Sequence, residues 1–287
     1  MTKYNGVHRH QLFHWIGRDI DIKGGDNKTL TDALRKQYID HLKGSLINGL
    51  WVKTPEKPDY LGAGKIILVN RPMVCFTEWS LGESLPHTSR YGRMGFGFSK
   101  QFILSHGGQP VAYVNETSKS PFLKTLEEIM MGIKNLDSNF NSKQLNLFNE
   151  LQSNFDYLSH FYKKIKNVGE RNAKTAKNRL PTLKSRSKLD PFKRVYGRTL
   201  HYLEEREWRI VFHTTLIKIF TKNENGGLQN IPEYFLNFQT GTDLFTLVLP
   251  DNKTIQMAME DDAIRNRLFP TKSPHVTLLS LEDIGTF

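Results

Sequence analysis

Apolar and polar positions alternate along this chain in short blocks, and their spacing predicts a mixture of strands and helices. Residues 12–16 form an apolar, aromatic run halted by Gly17 and the acidic turn from Asp19 to Asp21, which reads as a strand. From Thr31 onward Leu34, Tyr38, Leu42 and Leu46 recur every fourth residue, predicting a helix capped by Thr31 or Asp32 and closed at Asn48-Gly49, with Leu50-Trp51 leading into a loop. Residues 65–69 and 73–76, joined by the turn at Arg71-Pro72, have the continuous apolar character of central strands. In residues 91–100 glycines alternate with aromatics, which predicts a strand with close backbone approach on one face and Ser99 as the N-cap of a short helix.

Further strands are expected at 110–114, 207–212, 244–249 and 275–280, and a helix at 254–268. Residues 122–135 and 145–166 have helical spacing on one apolar face, as amphipathic helices laid on a sheet would. The pattern is α+β: one domain over 1–287, with a helical and basic insertion at about 118–200 between two strand-rich halves.

With 38% hydrophobic and 11% aromatic residues, the chain can bury a sizeable core. No apolar run approaches the roughly 18 to 20 residues of a membrane span, and the polar start lacks a signal-peptide core, so a cytoplasmic protein without a membrane association is expected. The single cysteine, Cys75, excludes an internal disulfide and reads as a small buried hydrophobe.

Charge changes the picture more. Residues 163–198 hold thirteen basic residues against Glu170 and Asp190, a balance of +11 that equals the net charge of the whole chain. Lys174, Lys177, Arg179, Lys184, Arg186 and Lys188 are its centre. Such a stretch neutralises phosphates and gains from counterion release, so a nucleic acid, RNA or single-stranded DNA, is the expected partner. An acidic protein partner or a plain solvated loop are the alternatives.

Three polar clusters carry candidate chemistry. His14 would bind a metal only if His8 and His10 folded back to join it, and no metal is expected; hydrogen bonding to a sugar, or a satisfied core position, are the other readings. Phe76, Thr77, Trp79, Ser80 and Tyr91 combine ring faces and hydroxyls suited to a flat heteroaromatic ring and its ribose, and equally to a core edge. The glycines at 92, 95 and 97 lack the order of a dinucleotide fingerprint or a P-loop. Last, Glu205 and Glu207 alternate along one strand face, so that Glu205 could orient or deprotonate an acceptor while Glu207 steadies positive charge on a sugar; five charges in the six residues 204–209 also suit a solvated turn of weak ion pairs.

The succession His14-Trp15, Ile47-Asn-Gly-Leu50, Val74-Cys-Phe-Thr-Glu78, Tyr91-Gly-x-x-Gly-Phe-Gly-Phe-Ser-Lys100, Gln109-Pro-Val-x-Tyr113 and Glu207-Trp-Arg209 resembles the AbiGi family of abortive phage-resistance proteins. The same order is also similar to the ADP-ribosyltransferase fold, including DarT-like toxins. That second resemblance implies a split mixed β-sheet core and NAD as ADP-ribose donor. It further implies His14 on the nicotinamide ribose, Tyr91 near nicotinamide and Glu207 as the catalytic glutamate; Trp15, Phe76, Thr77 and Arg71 are then the other candidates for binding the cofactor, and Glu205, on the face of Glu207, the second catalytic candidate.

The function expected from both is a phage-defence toxin, an NAD-dependent mono-ADP-ribosyltransferase acting on nucleic acid and restrained by an antitoxin partner. On this expectation Glu207→Gln abolishes transfer and leaves the fold intact. The alternatives are a non-enzymatic antitoxin or regulator of a defence operon, and an NAD glycohydrolase or protein-directed transferase.

Overall fold

A computed structural model describes residues 11–23, 30–54, 60–61, 66–67, 71–78, 81, 88, 91–115, 124–125, 128–129, 131–132, 141–165, 206–213, 220–223, 233–270 and 276–284. In chain order its strands are β1 (Gln11–Ile16), β2 (Leu50–Val52), β3 (Tyr60–Leu61), β4 (Ile66–Ile67), β5 (Met73–Thr77), β6 (Met94–Ser99) and β7 (Gln109–Pro110). They continue with β8 (Ala112–Asn115), β9 (Tyr162–Ile165), β10 (Glu207–Val211), β11 (Phe220–Asn223), β12 (Glu233–Leu236), β13 (Leu244–Leu249) and β14 (Thr277–Ser280). The helices are α1 (Arg18–Lys23), α2 (Asp32–Asn48), α3 (Lys100–Ser105), α4 (Ser142–Ser159), α5 (Asn252–Glu260), α6 (Asp262–Leu268) and α7 (Leu281–Ile284).

Seven strands form the central sheet in the order β14-β13-β6-β1-β5-β10-β7. Every neighbouring pair is antiparallel except β13 and β14, whose parallel pairing is made possible by the α5–α6 crossover between them. The sheet is mixed and the chain combines it with several helices, as the apolar pattern predicts. One face of the sheet, through Leu12, Phe76, Phe96, Phe98, Ile210 and Leu247, shares a buried cluster with Tyr38, Leu42 and Leu46 of α2 and with Ile264 and Leu268 of α6. The four-residue spacing of α2 therefore does what an apolar stripe must: it faces the core. Thr31 caps this helix by accepting from the Leu34 amide at 3.3 Å, and Asp251 caps α5 by accepting from the Thr254 amide at 2.7 Å. Asp251 also receives Arg35 Nε and Nη2 at 2.9 and 2.8 Å, a two-pronged pair that ties α2 to the start of α5.

The opposite face is narrower. Phe13 and Trp15 stack at 5.8 Å and pack with Val248, Leu281 and Ile284. They lie across β6 where it has no side chains: a Cβ on Gly95 would stand 2.6 Å from the Trp15 ring, and one on Gly97 2.8 Å from the Phe13 ring. The alternation of glycine and aromatic residues in this strand thus serves close packing of two rings against backbone.

Several boundaries differ from the sequence reading. Leu50-Trp51 is not loop but the strand β2, paired with β12 in a second sheet of order β11-β12-β2. The helix expected over 145–166 ends at Ser159 and is followed by β9, which pairs in parallel with β8. The expected helix 254–268 is two, because Asp261 breaks the first and caps the second through the Ala263 and Ile264 amides. The acidic turn after Gly17 is the short helix α1, and the strand expected at 110–114 is divided between β7 and β8. Among the described residues no helix is long and apolar enough to cross a membrane.

Candidate functional site

Strand register decides which of the expected site residues meet. Phe13, Thr77 and Glu207 stand opposite one another across β1, β5 and β10, so their side chains share one face of the sheet. His14 follows Phe13 directly and turns to the other face, as do Phe76 and Trp208, which stand opposite each other in register. The structure therefore places His14 and Glu207 on opposite sides of one sheet. Thr77 and Trp15 lie on the Glu207 side and Phe76 on the His14 side. Tyr91 is exposed just ahead of β6, and Arg71 turns toward α4, donating from Nη2 to the Ser153 carbonyl and hydroxyl, each at 3.1 Å. Glu205, the lysines and arginines 174–188, His8, His10, Trp79 and Ser80 lie outside the described residues.

On its own side His14 is held as a neutral ring. Nδ1 donates to the Cys75 carbonyl at 2.8 Å, which assigns the tautomer, and the ring lies 5.8 Å from Phe76. Burial lowers the imidazole from its ordinary value of 6.5, outweighing the opposing pull of that hydrogen bond. A histidine kept neutral in the fold and free to protonate when unfolded stabilises the fold above about 6.5, and that stability is lost as the pH falls below it. Unfolding free energy measured across this range should decline toward acid, and His14→Gln should flatten the slope; an identical slope in the variant would refute the assignment.

The Glu207 corner is built where β10 begins. Arg206 enters it with a positive φ of 42° and accepts the Glu78 amide at 3.1 Å, which sets Glu207 as the first strand residue. Two residues on and on the same face, Arg209 donates Nε to Glu207 Oε1 at 2.7 Å, and its Nη1 reaches the His160 carbonyl at the end of α4. Both side chains of the pair are about nine-tenths buried, at 10% and 11% exposure. Burial opposes the Arg209 charge, but the Glu207 carboxylate more than restores it, so the guanidinium holds its proton more tightly than usual. The Glu207 amide donates to the Tyr113 hydroxyl at 3.2 Å. His160 donates Nδ1 to the Asp156 carbonyl at 2.6 Å and accepts the Arg71 amide at Nε2, 3.2 Å away. This corner is thus a polar clamp that fastens the end of α4 to β5 and β10.

Beside it, on the His14 face, Glu78 takes Lys100 at 2.9 Å and the Trp208 indole at 3.0 Å, while the Lys100 ammonium sits 4.6 Å from the Trp208 ring centre. Burial raises the Glu78 carboxyl, but these two hydrogen bonds and the Lys100 charge bring it below the usual range. Among the described residues no group of three His, Cys, Asp or Glu is placed to hold a metal ion. Arg209, Tyr113 and His160 escape a reading for catalysis; the signal for the first was the opposite charge at the second position after Glu207, which alternation along a strand turns into a same-face pair.

Residues 50–230, which span β2 to β11, α4 and the basic segment, match the family model described as "Putative abortive phage resistance protein AbiGi, antitoxin". No curated protein and no solved structure matches the chain, so the ADP-ribosyltransferase arrangement of the sheet rests on the sequence resemblance alone. The family description corrects the expected function: the role attached to these residues is that of the antitoxin, where an ADP-ribosyltransferase toxin was expected. With more than half of its 287 residues matched, the chain belongs to the AbiGi family of abortive phage-resistance proteins.

Proposed function

We propose that this chain is the antitoxin of an abortive phage-defence pair, and that in the cytoplasm it restrains its toxin by binding it, with no reaction of its own. The family description carries the reading, and the Glu207 corner supports it. There, a carboxylate and a guanidinium are paired with each other, and the guanidinium also holds the end of α4. Groups satisfied in this way stabilise a scaffold.

Co-expression with the toxin of the same pair tests this. Growth should be restored by the chain, the two proteins should co-elute after purification, and the chain alone should be harmless. Toxicity of the chain by itself, or failure to rescue, would sink the proposal.

A second reading, regulation of the operon through nucleic acid, draws on the thirteen basic residues of 163–198. It is favoured if purified chain binds operator DNA or RNA with a steep salt dependence that disappears when Lys174, Lys177, Arg179, Lys184, Arg186 and Lys188 are neutralised, while rescue persists.

A further inference from the structure

On the narrower face of the central sheet, three side chains carry polar atoms that find no partner among the described residues: both amide atoms of Gln11, the hydroxyl of Thr246 and the indole N–H of Trp15. Gln11 and Trp15 are 7% exposed and Thr246 0%, so bulk water does not satisfy them, and a fold leaves few buried polar groups in that state. Register gathers two of the three at one point. Gly97 of β6 stands opposite Phe13 of β1 on one side and Thr246 of β13 on the other. Because residue 97 has no side chain, the Gln11 amide lies over its backbone: a Cβ there would be 2.6 Å from Gln11 Oε1 and 2.8 Å from the Phe13 ring. Val248, two residues on from Thr246, packs with Phe13 and Trp15, which puts Thr246 on this same face. The Gln11 amide and the Thr246 hydroxyl thus flank Gly97 from its two neighbouring strands, beside the flat Phe13 ring.

The chemistry of these groups defines what pairs with them. Gln11 offers a donor and an acceptor side by side, and Thr246 adds a hydroxyl that can act as either. Glu207 and Arg209, charged residues of this face two strands from β1, are paired with each other. An ion set against Gln11 and Thr246 would therefore be buried without a counter-charge, so the fitting group is neutral. A neutral group that presents an acceptor next to a donor, and is flat enough to lie against an aromatic ring and bare backbone, is the amide-like edge of a heterocycle; a glutamine amide pairs with adenine in this two-pronged way. We infer that Gln11 and Thr246, over Gly97 and beside Phe13, form a binding site for the base of an uncharged nucleoside. The site is independent of the antitoxin reading, since neither residue belongs to the Glu207 corner.

Titration of the full chain with adenosine, guanosine, cytidine and uridine in a calorimeter should show binding of at least one, retained by its free base and absent with ribose. Gln11→Leu and Thr246→Val keep the approximate shape of each side chain and remove its unpaired groups. Each should weaken that binding by about tenfold or more. In the ligand-free chain neither should lower the thermal midpoint, because an unpaired buried polar group gives way to an apolar one. A lowered midpoint in ligand-free Gln11→Leu or Thr246→Val would show these groups partnered within the fold and overturn the inference. Unchanged affinity in both variants would place the nucleoside elsewhere, and no binding of any of the four up to millimolar concentration would leave the site without its ligand; either result overturns it as well. Gln11→Leu should rescue growth from the toxin as the parent does, so the antitoxin reading stands or falls separately.

Discussion

Glu207→Gln should lower the stability of the fold by about 3 kcal/mol, since it removes the negative charge paired with a buried guanidinium and leaves Arg209 charged in place. Urea unfolding should show an earlier midpoint with an unchanged slope. Arg209→Met, which strands the carboxylate instead, should destabilise by a similar amount. The double variant Glu207→Leu/Arg209→Met should recover much of the loss, because both charges then leave the interior together. A parent-like midpoint for Glu207→Gln would mean that the pair is solvated and the clamp weak. This substitution separates the two readings of the chain: taken from sequence, Glu207→Gln leaves the fold intact, whereas the ion pair makes it first of all a stability variant.

The second large effect is expected at Gly92. Its φ of +110° is disfavoured for any residue with a side chain, and a Cβ there would stand 2.3 Å from the Ile16 carbonyl oxygen and 2.4 Å from the Arg18 nitrogen. These are backbone atoms of the turn between β1 and α1, which cannot rotate aside. Gly92→Ala should therefore combine backbone strain with overpacking and destabilise by about 3 kcal/mol or more. Gly44→Ala is the matched control: it lies inside α2 with nothing within 4 Å of the added Cβ, and should stabilise by up to about 1 kcal/mol through helix propensity. Equal unfolding midpoints for the two alanine variants would show that the Gly92 contact is not as tight as drawn.

Features whose cause lies within a few residues were legible in the sequence. The spacing of Tyr38, Leu42 and Leu46 and the cap at Thr31 produced α2 where expected, and Ser99 caps α3 by accepting the Phe102 amide at 3.0 Å. Features that depend on a distant partner were not. Leu50–Val52 is too short to announce itself as a strand, and becomes one because Tyr234, Phe235 and Leu236 pair with it from far along the chain. Tyr162–Ile165 continued a helical pattern by composition, yet pairs with Ala112–Asn115, and backbone hydrogen bonds made there outweigh the weak helical preference of its side chains. The clamp shows the same division: Glu207 and Arg209 are two residues apart and readable as a pair, while Arg71, Tyr113 and His160 arrive from three other elements.

By itself the sequence determined the mixed α+β composition, the main amphipathic helix, the glycine-lined strand β6 and the concentration of positive charge in 163–198, because each is a local matter of periodicity, steric space or counting. Only the tertiary structure decided that His14 and Glu207 face opposite sides of the sheet. That outcome depends on the register Phe13, Thr77, Glu207 across three strands, and a shift of one residue in that pairing would have reversed it. Only the tertiary structure, too, decided that α4 turns Leu147, Leu151 and Leu158 outward, since a helix has no inside until a clamp such as Arg209 on the His160 carbonyl fastens one of its sides.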